Sequence, residues 1–117
     1  MKIHSTIKDK RGTIENLFFS PVNHVAVITS KKGSVRSEHF HKEGWHYLYV
    51  VEGLMTYSER DLDGQQVLLK NCPKGTLIFT GPNKVHKCQF LKDTILISAT
   101  SNESQEMHEE DTERQDF

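Results

Sequence analysis

Four histidines supply the strongest chemical signal in this sequence. His39 and His41 are separated by one residue, so on a β-strand their imidazoles leave one face while Phe40 leaves the other. His46 follows the Lys42-Glu43-Gly44 turn and shares a face with Leu48 and Val50; His86 lies far along the chain, after Pro82, on a face with Cys88 and Phe90. Paired antiparallel strands can bring all four rings to one interior wall. Neutral imidazole is the commonest metal ligand, and a divalent ion such as Zn, Ni, Fe or Mn accepts it. The competing reading is a metal-free polar cluster, against which stands the cost of holding several unpaired imidazoles in an apolar interior. His4, His24 and His108 fall outside the pattern and read as ordinary polar positions.

The elements that must position these residues are strands. Val25–Thr29, Trp45–Val51, Leu54–Glu59, Gln65–Leu69, Thr76–Phe79, Val85–Phe90 and Thr94–Ala99 are β-branched or aromatic runs. Turn signals separate them at Lys31-Lys32-Gly33, Glu52-Gly53, Asp61-Leu62-Asp63-Gly64, Pro73-Lys74-Gly75 and Gly81-Pro82-Asn83. Short strands at this spacing predict an all-β fold, a single-domain antiparallel barrel or jelly roll over residues 1–100. Residues 101–117 change character: Glu103, Glu106, Glu109, Glu110, Asp111, Glu113 and Asp116 accompany only Met107 and Phe117 as large apolar residues. That composition predicts an acidic tail, flexible or a short helix.

Bulk properties narrow the partners. A chain of 117 residues is one domain by length, long enough to bury a core without disulfides. A formal net charge of −1 offers no global basic field, so neither nucleic acid nor an anionic membrane is an expected partner. No apolar run approaches a membrane span, and Met1–Lys10 has no apolar core of a secretory signal. Cys72 and Cys88 have no paired-motif spacing, and two free thiols fit a cytoplasmic location.

The spacing Gly33, five residues, His39-Phe40-His41, four residues, His46, six residues, Gly53 resembles the first motif of the cupin superfamily. Gly75 to His86 resembles the second, with Pro82 one place late and Phe90 where the family has Asn. The resemblance spans residues 25–99 and implies a cupin-type barrel in which His39, His41 and His86 are metal ligands. His46 stands where the family carries Glu. Four neutral imidazoles would leave the ion its full charge, which favours Lewis-acid chemistry over carboxylate-supported redox.

A narrower resemblance lies on the same residues. Asp9-Lys10-Arg11-Gly12 and the run Lys32 to Lys42, containing Arg36-Ser37-Glu38-His39-Phe40-His41-Lys42, are similar to cupins that act on nucleotide-linked 4-keto sugars, the 3,5-epimerases and 3,4-ketoisomerases. That resemblance implies that Arg36 contacts a diphosphate, that His39 removes a proton beside the keto group and that His41 assists. The epimerases carry a Tyr acid beyond the distal His strand; Ser98–Glu103 has none, and Tyr57 is the substitute left once Tyr47 and Tyr49 face away from His46.

The expected function is a metal-binding cupin enzyme that isomerises or epimerises a small carbonyl substrate, such as a nucleotide-linked keto sugar, and works as a homodimer. The alternatives are a metal-independent isomerase, a non-catalytic ligand-binding cupin and a metal-dependent dioxygenase. Trp45, Tyr47 and Tyr49 alternate opposite His46 and read as a second packed face or dimer contact. Cys88 reads as a buried strand thiol, Glu43 as a solvated turn residue, and Lys31-Lys32 as a solvated loop beside Arg36.

Overall fold

The computed structural model describes residues 5–18, 21–102 and 105–115. In chain order the elements are β1 (Ser5–Asp9), β2 (Gly12–Asn16), β3 (His24–Ser30), β4 (Val35–His41), β5 (His46–Glu52), β6 (Leu54–Asp61), β7 (Gln66–Pro73), β8 (Leu77–Thr80), β9 (Lys84–Phe90), β10 (Thr94–Thr100), α1 (Gln105–Asp111) and β11 (Thr112–Arg114). The fold is all-β, as the turn spacing predicts. Every strand pairing is antiparallel. One sheet has the order β3-β10-β5-β8, a second β11-β4-β9-β6-β7, and β1 and β2 form a separate hairpin.

The two larger sheets share one core. Leu48, Val50, Ile78 and Leu96 come from the first and Met55, Tyr57, Cys72, Cys88 and Phe90 from the second. Burying Phe90, Met55 and Leu96, each at most 2% exposed, supplies about 1.5–3 kcal/mol per side chain. The inward positions are graded along the strands. On β5 they run His46, Leu48, Val50; on β9, His86, Cys88, Phe90; on the oppositely directed β10, Thr100, Ser98, Leu96. One end of the sandwich is therefore imidazole and hydroxyl, the other hydrocarbon.

The tight β5–β6 connection depends on Gly53. Its φ is +106°, and a Cβ there would lie 2.5 Å from the Asp93 carbonyl oxygen. The returning strand β7 continues to Pro73, past the expected end at Leu69, because β6 pairs with it along its whole length. As the alternation requires, Tyr47 and Tyr49 face away from the interior. Phe18 stacks on Tyr47 with ring centroids 4.3 Å apart, and the Tyr49 hydroxyl donates to Glu15 at 2.8 Å, tying the N-terminal hairpin to that outer face. Asp9-Lys10-Arg11-Gly12 is the hairpin turn, with Arg11 bonded to the Asp9 carboxylate at 2.6 Å.

The acidic C-terminal segment contains α1 and then β11, which pairs with β4 so that Thr112 lies opposite His41 and Arg114 opposite His39. Cys72 and Cys88 are both free thiols, and burial pushes Cys88 up to about 12. Among the described residues no helix is long and apolar enough to cross a membrane.

Candidate functional site

The strand β4 carries the feature that sets the site. Its register against β9 runs Arg36↔Cys88, Ser37↔Lys87 and then His39↔His86, so Glu38 is an extra residue, a β-bulge. Both Ser37 (φ 77°) and Glu38 (φ 58°) are left-handed, a strained choice for residues with a Cβ. The bulge has a direct consequence for the Arg36-x-x-His39 spacing. In a regular strand, residues three apart face opposite ways. Here Arg36 pairs with Cys88 and His39 with His86, and His86 and Cys88 are two apart, so the bulge turns both Arg36 and His39 to the inner side.

One ring nitrogen from each of His39, His41 and His86 lies within 4.8 Å of the others. Three of the four expected ligands thus converge. His46 enters from the facing sheet, its ring centroid 4.8 Å from His86 and 5.6 Å from His41, but it is not one of that trio. The His86 ring is fully buried, and its Nδ1 sits 3.1 Å from the carbonyl oxygen of Lys84. A carbonyl can only accept, so Nδ1 carries the proton and Nε2 keeps its lone pair. That Nε2 is buried with no hydrogen-bond partner, and so is Nε2 of His46. Within the trio, the orphaned Nε2 of His86 is a lone pair that an ion could take.

The electrostatics favour neutral rings. Burial, then the neighbouring His86 and His41, push His39 down to about 3; burial takes His86 to about 4 and His46 well below the ordinary value. His41 is lowered by burial and by His108, against the opposing pull of Asp111. Neutral imidazoles are the ligating form.

A cavity of ≈ 320 Å³ opens on the cluster, lined by His39, His41 and His46 and by Ser37, Ser98 and Thr100. His24 and His108 line it as well. Neither was legible as a site residue from motif spacing. His24 could have been found, because it opens β3 with Ala26 and Ile28 at successive inward positions. His108 could not, because the fold of the acidic segment brings it there, 5.0 Å from His41 between ring centroids.

The other two expected site residues lie elsewhere. Arg36 faces a second cavity, shared with Lys31 and Ser34, and its guanidinium donates to Ser30 Oγ at 2.7 Å and to the Thr29 carbonyl at 2.9 Å. Tyr57 is fully buried behind His86; its hydroxyl is 2.9 Å from Glu59 and 2.5 Å from Thr80 Oγ1 and does not line the histidine cavity. Burial raises its pKa above the ordinary tyrosine value.

By sequence, no family model and no curated protein matches the chain. By structure it is similar to the QdtA 3,4-ketoisomerase of Thermoanaerobacterium thermosaccharolyticum, solved as a double mutant with TDP. The TM-score is 0.80 at 20% identity, over 97% of this chain and 84% of that one. A 3,4-ketoisomerase from Helicobacter canadensis gives a TM-score of 0.80 at 18% identity, over 96% and 86% of the two chains. The dTDP-4-dehydrorhamnose 3,5-epimerase from Sulfolobus tokodaii gives 0.69 at 21% identity, over 85% and 67%. The fold is therefore the cupin-type jelly roll that the two histidine motifs predict.

Proposed function

We propose that this chain is a metal-binding cupin enzyme that isomerises or epimerises a small carbonyl compound, with a nucleotide-linked 4-keto sugar as the favoured substrate. The observation that carries the metal half is the convergence of His39, His41 and His86 within 4.8 Å around a buried Nε2 that has no partner. These three residues would hold the ion, with His46 beside them at the position where the cupin pattern has Glu. With no carboxylate among the three, a bound divalent ion would keep its charge and supply Lewis-acid stabilisation of a developing enolate oxygen.

The carbonyl half rests on the cavity and on the similar structures. About 320 Å³ is near the lower limit of small-molecule sites, room for one sugar ring and not for a whole nucleotide. Ser37, Ser98 and Asn102 offer hydroxyl and amide groups for sugar hydroxyls, and the imidazoles of His24 and His108 are free of the ligand trio to move a proton. The diphosphate would lie outside, toward Arg36 and Lys31. One similar structure is a 3,4-ketoisomerase mutant with TDP-4-keto-6-deoxyglucose bound.

One observation favours a second reading. His39 and His41 line the cavity whereas His86 sits behind them, an arrangement suited to acid–base work by the first two with no ion. Two measurements separate the readings. Metal analysis of purified wild type and of His86→Ala tests the ion: about one equivalent in wild type and loss in the variant is expected, and no metal in wild type sinks the metal reading. Solvent deuterium uptake by TDP-4-keto-6-deoxyglucose, with and without chelator, tests the reaction. Uptake abolished by chelator supports the first reading, uptake indifferent to chelator the second, and no uptake counts against both.

We also assign the chain as a cytoplasmic homodimer. Both β3 and β7 are sheet edges, and exposed Val25, Val27 and Leu69 give those edges apolar surface. Light scattering that returns a monomer mass at micromolar concentration rejects the dimer.

A further inference from the structure

The acidic C-terminal segment reads from composition as a tail, yet it touches the histidine cluster through His108, Asp111 and Thr112. A seven-residue helix with no apolar stripe has little stability of its own. Its placement must come from contacts, and these converge on two residues.

Asp111 is 9% exposed. Its Oδ1 accepts the Glu43 N–H at 2.8 Å and its Oδ2 the Gly44 N–H at 3.0 Å, while its carbonyl accepts the Lys42 N–H at 3.0 Å. The carboxylate is thereby clamped across the turn that separates His41 from His46. A Cβ on Gly44 would lie 2.7 Å from Oδ2, so glycine is what permits the approach. Oδ2 is also 3.7 Å from His41 Nδ1, beyond hydrogen-bond length. Burial works to raise the Asp111 carboxyl, but the two N–H groups and His41 outweigh it and hold the group below the usual aspartate value.

Thr112 is the second residue. Its Oγ1 donates to the His108 carbonyl at 2.6 Å, which uses its only proton. Oγ1 is also 3.1 Å from His41 Nδ1, so in that contact it can only accept. His41 must therefore carry its proton on Nδ1 and keep the Nε2 lone pair. His86 reaches the same tautomer through the Lys84 carbonyl of its own strand; His41 depends on a segment some seventy residues away.

We propose that Thr112 and Asp111 are positioning residues: Thr112 fixes His41 as the Nδ1–H tautomer, and Asp111 locks the turn that sets His41 against His46. This deepens the metal reading above, on which its functional meaning rests, but the tautomer is a property of the metal-free protein and can be tested alone. Partners of this kind orient ligand imidazoles and are worth about 10–100-fold in metal affinity.

The test is long-range ¹H–¹⁵N correlation NMR of histidine-labelled, chelator-treated protein, on wild type, Thr112→Val, Thr112→Ser and Asp111→Asn, followed by Zn²⁺ titration. Wild type should show His41 protonated at Nδ1. Thr112→Val should move His41 toward the Nε2–H form and weaken Zn²⁺ binding about 10–100-fold, and Thr112→Ser should restore both. Asp111→Asn should keep the tautomer and shift the backbone resonances of Glu43 and Gly44. An unchanged His41 tautomer in Thr112→Val overturns the proposal whatever the metal does, and so does Nε2 protonation in wild type. Wild type with the expected tautomer and no affinity for Zn²⁺ would instead remove the metal reading and leave the positioning role standing.

Discussion

Chelator-treated protein should lose stability steeply between pH 6.5 and 4, and His86 should account for a defined share of that loss. An unfolded chain takes up a proton on each histidine below about pH 6.5. Folded His86 stays neutral down to about 4, because burial opposes its charged form. The unfolded state then binds more protons than the native one, so stability falls as pH falls. The contribution of His86 is fully present above pH 6.5, declines through the window and levels off below 4. At about 1.4 kcal/mol per pH unit, the whole window is worth on the order of 3 kcal/mol, and the interval from pH 7 to 5 about 2 kcal/mol. The assay is urea unfolding at pH 7 and pH 5 on wild type and His86→Gln. The variant should lose about 2 kcal/mol less than wild type over that interval, or roughly 1 M in urea midpoint. Relief of repulsion on His39 adds to the difference in the same direction. Equal losses in both proteins would refute the reasoning, since His86 would then titrate alike folded and unfolded.

Three further outcomes follow from the fold and the site. Zn²⁺ at about 100 times its dissociation constant should stabilise wild type by about 2.7 kcal/mol and His86→Ala by far less, read as a thermal shift; an equal shift in both rejects the trio as the binding site. Glu38→Gly should cost nothing measurable, because the bulge already holds a left-handed φ, whereas Gln89→Gly in regular β9 should cost about 0.5–1 kcal/mol. Equal costs in chemical denaturation would mean Glu38 is not strained. Phe90→Ala should cost about 3–5 kcal/mol by leaving a hole in the common core, and a loss below 1 kcal/mol would show that the two sheets do not share one.

Much of the site was legible because strand alternation is local. His39 and His41 had to share a face, and His86 had to share one with Cys88 and Phe90, whatever the tertiary fold. The cupin-like spacing then named four rings, of which the structure brings His39, His41 and His86 within 4.8 Å and leaves His46 beside them. Three features escaped for distinct physical reasons. The bulge at Ser37–Glu38 carries no glycine, so nothing in the residue types marks the left-handed pair, and register is visible only from the partner strand. Arg36 faces inward because of that bulge, yet it bonds to Ser30 and lines a different cavity. Thr112, Asp111 and His108 sit in a stretch whose charge suits solvent, and the backbone of the Glu43–Gly44 turn, the side chain of Asn102 and the edge of β4 give it a place to dock.

The grading of the inward faces has a consequence for how such a chain can change. Free energy of folding is concentrated where Val50, Met55, Phe90 and Leu96 meet, and the far end of the cavity, at His46 and Thr100, stands two repeats of the pleat away, with Leu48 and Ser98 between. Substitutions more than about 7–10 Å apart with no shared partner add nearly independently. A lineage, or an engineer, can therefore vary the far end of the pocket, at Thr100, without touching the stabilising half, whereas Ser98, opposite Leu48, couples to it. The histidine rings are the exception, because their own neutrality makes them answerable to both halves.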